Sequence, residues 1–348
     1  MTRKETKVIK IGNRCLGGDN PILIQSMSTY LPRDTENSIN EILKLEKAGC
    51  EIIRVAVKDM VDATAIKELK SKIHIPIVAD IHFNYELGIE AINSGVDAIR
   101  FNPGNIGKDE SLKKLVDKAI ETNTPVRIGV NSGSINPKFK NSNLSNVDKA
   151  VESLKYYVSL CEKYGLTNLV LSIKMSSTLE TIEAYEKISK LYDYPLHLGV
   201  TEAGLSDNAI IKSSIALGYL LSEGIGDTIR VSITGDPIRE VTSAKSILRA
   251  LNLHNSPDLI SCPTCGRTEI DLEYYAKEVE KELEGINKNI KVAVMGCLVN
   301  GPGEAKEADL GVAFITGRGV FFKKGEVVYS GTIDEAIDKL KEELKQYK

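Results

Sequence analysis

The chain has 348 residues, 42% of them hydrophobic and 27% charged, a balance that excludes collagen-like, low-complexity and wholly disordered chains and permits a real core. Its 45 basic and 48 acidic side chains leave a formal charge of -3, so nothing draws the whole molecule to nucleic acid or an anionic membrane, and any phosphate binding has to be local. The length exceeds that of one small domain and favours a large barrel or sandwich with an appendage. No apolar run reaches the roughly 18 residues of a membrane span, and the opening MTRKETKVIK lacks the apolar centre of a signal peptide, so a cytoplasmic protein is expected. In that reducing compartment the six cysteines read as metal or redox chemistry before disulfides.

After a short leading segment, KVIKIGN, apolar β-branched runs alternate with charged stretches of helical period. The runs are PILIQSMS, CEIIRVAV, IPIVADIH, DAIRFNPG, PVRIGVNSG, NLVLSIKM, PLHLGVTEAG and DTIRVSITG. Eight near-continuous apolar strands separated by helices imply a parallel sheet buried on both faces, and about 230 residues suit closure into a TIM (β/α)8 barrel. An open doubly wound sheet is the rival, but no GxGxxG follows the first strand. The pattern changes after Leu251. NLHNSPDLIS, Asn252 to Ser261, reads as a linker, followed by Cys262 and Cys265, a charged helix, the strands IKVAVMG, LGVAFITG and GEVVYSG, and a closing helix DEAIDKLKEELKQYK. The expected domains are a barrel over 1–253 and a small α+β domain over 254–348.

Charge inside an apolar barrel strand needs a reason. Arg54, Arg100, Arg127, Lys174 and Arg230 each fall in a different strand, and charge is best tolerated near the C-terminal mouth, where a barrel opens to ligand and water. An ion pair with Asp80 or Glu202 explains any one of them. Two carboxylates cannot balance five cations, so an anionic ligand carrying several charges, most naturally a diphosphate, would complete the set. Gln25, Ser28, Asp80, His82, Asn102, Asn131, Glu202 and Ser232 add polar groups at the same strand ends. Most suit hydrogen-bond filling. His82 and, more strongly, Glu202 are candidates for proton transfer, with Glu202 expected beside apolar walls that would favour its protonated form and nearby cations that would favour the charged one. The turns FNPGNIG and ITGDP offer backbone amides to phosphate, although such turns also simply close βα loops.

The second domain carries the sharpest signal. Cys262 and Cys265 form a CxxC pair, and Cys297 in MGCLVNGPGE supplies a third thiolate, with Glu304 seven residues beyond it. No fourth cysteine follows, and the only nearby histidine, His254, precedes the pair. Structural zinc is one reading. An iron-sulfur cluster closed by an oxygen ligand such as Glu304 suits the incomplete thiolate set better, and the CxxxCxxC spacing of radical enzymes is absent. Cys15, Cys50 and Cys161 stand alone and read as small buried hydrophobes.

The motifs CPTCGRTEIDL and MGCLVNGPGEAKEAD, with ADIHFN, IRFNPGN, RIGVNSGS, LGVTEAG and RVSITGDP, resemble over essentially the whole chain the 4-hydroxy-3-methylbut-2-enyl diphosphate synthase family of the methylerythritol phosphate route to isoprenoids, in its short bacterial form. The resemblance implies a TIM barrel that binds 2-C-methyl-D-erythritol 2,4-cyclodiphosphate. It also implies a 4Fe-4S cluster held by Cys262, Cys265, Cys297 and Glu304, and two electrons drawn from flavodoxin or ferredoxin. The strand-end cations, with His82, Asn102, Asn131 and Ser232, would hold substrate; Glu202 would serve proton transfer, and Glu304 would be a displaceable ligand. A pterin-binding-type barrel with a structural zinc domain is the alternative. Because the last helix of a barrel ends opposite the mouth and the linker spans at most about 35 Å, the expected assembly is a head-to-tail homodimer in which each cluster domain caps the other barrel.

Overall fold

A computed structural model of the chain describes residues 3–102, 109–268, 270–297, 305–315 and 317–348. It divides into two compact units, Met1–Leu251 and Asn252–Lys348.

The first unit starts with an antiparallel hairpin of β1 (Ile9–Ile11) and β2 (Arg14–Leu16). Strands and helices then alternate: β3 (Leu23–Met27), α1 (Thr35–Ala48), β4 (Ile52–Val57), α2 (Met60–Lys70), β5 (Ile77–Ile81), α3 (Tyr85–Asn93), β6 (Ala98–Phe101) and α4 (Asp109–Glu121). The order continues with β7 (Val126–Asn131), the single turn α5 (Pro137–Lys140), α6 (Asn146–Lys163), β8 (Leu169–Lys174), α7 (Thr178–Leu191), β9 (His197–Leu198), α8 (Ser206–Ser222), β10 (Thr228–Ile229) and α9 (Pro237–Ala250). Helix starts follow from local chemistry. Asp59 accepts from the amides of Val61 and Asp62, Ser177 from that of Glu180, and Asp236 from that of Ile238 behind Pro237 in the first turn of α9.

Strands β3 to β8 pair in sequence and in parallel, and β10 pairs with both β9 and β3. A parallel bridge between Leu171 and Leu196, with the Leu171 amide donating to the Pro195 carbonyl at 2.9 Å, joins β8 to the β9 segment. The eight strands therefore close, as the alternating pattern predicts. The hairpin, which the sequence reading treats only as a leading segment, plugs the N-terminal end of the barrel. Ile9, Ile11 and Leu16 cluster with Leu23, Ile52, Val78, Ala98 and Val170, the first or second residues of their strands. The gap left beside this plug holds about 10 Å³, no more than one water. Near the shortest strands the leading segment is pinned by buried Asp227, which accepts from Thr6 Oγ1 at 3.0 Å, Arg3 Nη2 at 2.9 Å and the Leu196 amide at 2.8 Å.

The second unit contains β11 (Asp258–Ser261), α10 (Leu272–Leu283), β12 (Lys291–Met295), β13 (Leu310–Ile315), β14 (Arg318–Lys323), β15 (Glu326–Gly331) and α11 (Ile333–Leu344). Strands β11, β12 and β13 are parallel; β13, β14 and β15 are antiparallel. Helix α11 opens with a reciprocal Thr332–Glu335 capping box and buries Ala336, Ile337, Leu340 and Leu344 in a core with Val279, Val292, Val312, Phe314 and Phe321. The expected linker is corrected at its end. Asp258–Ser261 pair with Lys291–Val294 as a strand, because DLIS supplies two apolar residues that the sheet can use, so only residues 252–257 remain as connection.

Candidate anion pocket and thiolate site

Because side chains alternate along a strand, one inward position on each of several strands faces the barrel axis. Arg54 lies on β4, Arg100 on β6, Arg127 on β7, Lys174 at the end of β8, and Arg230 directly after β10. Asp80, Arg100 and Arg127 lie side by side in the register of β5, β6 and β7. These six residues, with His82, Asn131, Ser172, Thr201 and Ser232, line a pocket of about 210 Å³. All five sequence-predicted cations meet there, with His82, Asn131 and Ser232. Ser172 and Thr201 are additions that a sequence reading centred on charge passes over.

The charge pairing differs from the expected one. Asp80 Oδ1 accepts from Arg100 Nη1 at 2.8 Å, and Oδ2 lies 3.5 Å from Arg54 Nε. The second carboxylate is Glu240 of α9, not Glu202. Glu240 accepts from Arg230 Nε and Nη2 at 3.1 and 3.0 Å, from Ser26 Oγ at 2.9 Å and from the Ile233 amide at 3.1 Å. Its origin on a helix is what hides it from a reading of strand residues. Arg127 Nη1 donates to Gln25, while its Nη2 is buried without a partner among the described residues. Lys174 forms no ion pair among the described residues; its Nζ lies 3.4 Å from His197 Nε2.

Burial acts on Arg54, Arg127, Lys174 and Asp80. Desolvation, reinforced by Arg230 and Arg100 and partly opposed by Asp80, lowers the Arg54 pKa to about 9. Burial and then the neighbouring arginines push Arg127 and Lys174 well below their ordinary values. Burial alone would raise Asp80, but Arg54, His82 and Arg100 outweigh it and hold the carboxyl well below the usual range. Five cations thus stand beside two carboxylates in one small pocket, and an anion relieves their repulsion. Two glycines make room for them. A Cβ on Gly129 would stand 3.0 Å from Arg100 Nε, and one on Gly199 would stand 2.8 Å from both Lys174 Nζ and the Arg230 carbonyl.

Other expected residues lie elsewhere. Asn102 is buried and donates to Ser134, tying two loops together, and does not line the pocket. Ser28 donates to Glu41 at 2.7 Å and anchors its own loop. Glu202 is exposed, not confined beside apolar walls; its backbone has a positive φ of 53°, and Ser176 Oγ donates to it at 2.7 Å. The FNPGNIG turn from Pro103 onward lies outside the described residues.

In the second unit, parallel pairing places Cys262 just beyond β11 and Cys297 two residues beyond β12. The Gly296 amide donates to Cys262 Sγ at 3.2 Å, which brings the two cysteine-bearing segments together. Cys265 is exposed; the Arg267 amide, followed by the Thr268 side chain, holds its thiol below the ordinary value despite an opposing desolvation. Among the described residues no three His, Cys, Asp or Glu side chains are gathered closely enough to hold a metal ion, and Glu304 lies outside those residues. By contrast Cys50 and Cys161 are buried, and burial pushes each thiol up to about 12, which makes them inert.

Fold and pocket together define a TIM barrel that gathers five cations around two carboxylates, followed by a separate thiolate-bearing unit. The chain belongs to the GcpE family: residues 6–245 match the GcpE TIM-barrel domain and residues 258–346 the GcpE protein C-terminal domain. It is 53% identical to the Clostridium tetani protein named 4-hydroxy-3-methylbut-2-en-1-yl diphosphate synthase (flavodoxin), over 99% of each chain. Proteins of the same name from Caldicellulosiruptor saccharolyticus and Fusobacterium nucleatum are 52% and 48% identical, covering 97% and 99% of this chain and 98% of each relative. Solved dihydropteroate synthases show the barrel fold alone. That of Yersinia pestis superposes with a TM-score of 0.52 at 13% identity over 70% of this chain and 98% of its own, and one from Xanthomonas albilineans with 0.51 at 14% over 71% and 98%.

Proposed function

We propose that the chain is an oxidoreductase that makes 4-hydroxy-3-methylbut-2-enyl diphosphate from 2-C-methyl-D-erythritol 2,4-cyclodiphosphate. Two electrons and two protons enter, the cyclic diphosphate opens, and one oxygen leaves as water. The observation that carries the reading is the pocket in which five cations, three of them buried, stand beside Asp80 and Glu240, with Arg127 Nη2 unpartnered among the described residues. A diphosphate supplies the missing negative charge and acceptor atoms. Kinship over the full length to proteins named for the same product supports it.

In this reading Arg54, Arg100, Arg127, Lys174 and Arg230 grip the diphosphate and offset the charge that grows on its oxygen as the ring C–O bond breaks. His82, Asn131 and Ser232 fix its orientation by hydrogen bonds. Glu202, steadied by Ser176, delivers a proton to the departing oxygen. Asn102 contributes through the loop it ties to Ser134. Cys262, Cys265 and Cys297, with Glu304, would hold a 4Fe-4S cluster. The donor set fits: two cysteine-bearing segments meet at neighbouring parallel strand ends, and backbone amides favour the thiolate at Cys265. Such a cluster supplies the electrons one at a time. Flavodoxin, as in the relatives' names, or ferredoxin is the donor. The working form is a cytoplasmic head-to-tail homodimer; among the described residues no helix is long and apolar enough to cross a membrane.

The test is purification without oxygen, measurement of iron, sulfide and zinc, and then addition of the cyclic diphosphate with a strong reductant. Equal iron and sulfide and formation of the linear allylic diphosphate are expected. Zinc alone, with turnover intact, overturns the reading. Glu304→Cys should keep a cluster and abolish turnover; unchanged activity removes Glu304 from its role. Mixing a cluster-dead with a barrel-dead variant should restore activity through hybrid dimers, and no restoration despite subunit exchange argues against the assembly.

A further inference from the structure

We propose that His197 is a positioning residue for Lys174: a neutral imidazole beneath the pocket that takes one hydrogen bond from the ammonium group and leaves its other two directed to the ligand. This rests on the reading that the pocket holds a diphosphate.

His197 is the first residue of β9 and is 1% exposed. Its Nδ1 is bonded to Thr228 Oγ1 on β10, the neighbouring strand, where the two residues are register partners. Its Nε2 faces Lys174 Nζ at 3.4 Å. An ammonium has three donors and no acceptor, so Nε2 must be the bare nitrogen and Nδ1 the protonated one, donating to Thr228 Oγ1. The second observation is Gly199, two residues along the same segment. Any side chain there would meet Lys174 Nζ. His197 thus provides the acceptor, and Gly199 provides the room.

Lys174 needs such a partner. The charged groups acting on it are Arg54, Arg230, Arg127 and Arg100, all cationic, while Asp80 and Glu240 are engaged with arginines. Its surroundings favour loss of its proton, and a hydrogen bond accepted from the ammonium opposes that loss. Burial, Arg127 and Lys174 in turn keep His197 uncharged, so it adds no further positive charge. No part of the proposed chemistry otherwise uses this buried histidine.

The test uses full-length protein prepared without oxygen, with inorganic diphosphate as the probe, titrated calorimetrically from neutral to alkaline pH. His197→Leu should weaken binding about 10- to 100-fold and move the alkaline loss of binding to lower pH. His197→Gln, whose amide oxygen can take the place of Nε2, should recover most of the affinity, and Thr228→Val should fall between the two. Adding His197→Leu to Lys174→Met should cost little more, since His197 acts through Lys174. Equal losses in the Leu and Gln variants, an unmoved alkaline limb, or losses that simply add would overturn the proposal. If the Leu variant does not fold, wild-type affinity and pH dependence in Thr228→Val would overturn it. Wild-type protein that fails to bind diphosphate removes the pocket reading itself and this inference with it.

Discussion

The two units carry their reactive groups in different ways. In the barrel four of the five cations stand on strands, Arg100 and Arg127 as register partners, with two carboxylates and two glycines built in to seat them. In the second unit the cysteines lie just past strand ends, half-buried or exposed. A site on strands is organised before its ligand arrives and bears the repulsion of its own charges; a site on strand ends draws much of its order from what it binds.

The largest effect that would sharpen this contrast is Cys297→Ser. Iron content and turnover should both be lost, while diphosphate binding in the barrel stays at the wild-type level; joint loss of binding would break the separation. Lys174→Met should raise KM about 10- to 100-fold with iron unchanged. It should also leave the melting temperature equal or higher, because a buried cation facing four others is removed. A drop in melting temperature would show that Lys174 stabilises the empty barrel. Glu240→Gln can still accept from the Ile233 amide and donate to the Ser26 hydroxyl, but it loses the charge that holds Arg230; a rise in KM of about tenfold is expected, read from initial rates. The smallest effect is on acid stability. Asp80 has a folded pKa below its unfolded one, so its contribution is fully present above the unfolded value of about 4 and is lost as pH falls through the folded one. Asp80→Asn should therefore be less stable at neutral pH, with a shallower decline in acid, measured by urea titrations at several pH values.

The eight strands were legible because each is a nearly unbroken apolar run, and the five cations because charge inside such runs is conspicuous. Glu240 was hidden on a helix, where glutamate is ordinary, and only the fold shows that it turns inward to Arg230. His197 was hidden for the opposite reason: one histidine in PLHLGV carries no pattern until Thr228 and Lys174 flank it. Gly129 and Gly199 carry no signal of their own in the sequence, since what they make room for comes from elsewhere in the barrel. Glu202 lies in the loop after β9, and its exposure there leaves no mark in composition. The hairpin escaped because its two strands of three residues each are too short for periodicity to register. The CxxC spacing with a third cysteine, in contrast, needed no tertiary information.

That hairpin seals one end of the barrel, so among the described residues the way to the pocket is from the other. On the proposed reading, the product must depart past the same positive groups that drew the substrate in, and quick capture and quick departure pull against each other. Salt weakens both. Raising ionic strength should therefore slow the enzyme when substrate is scarce and, where departure sets the pace, speed it when substrate is abundant.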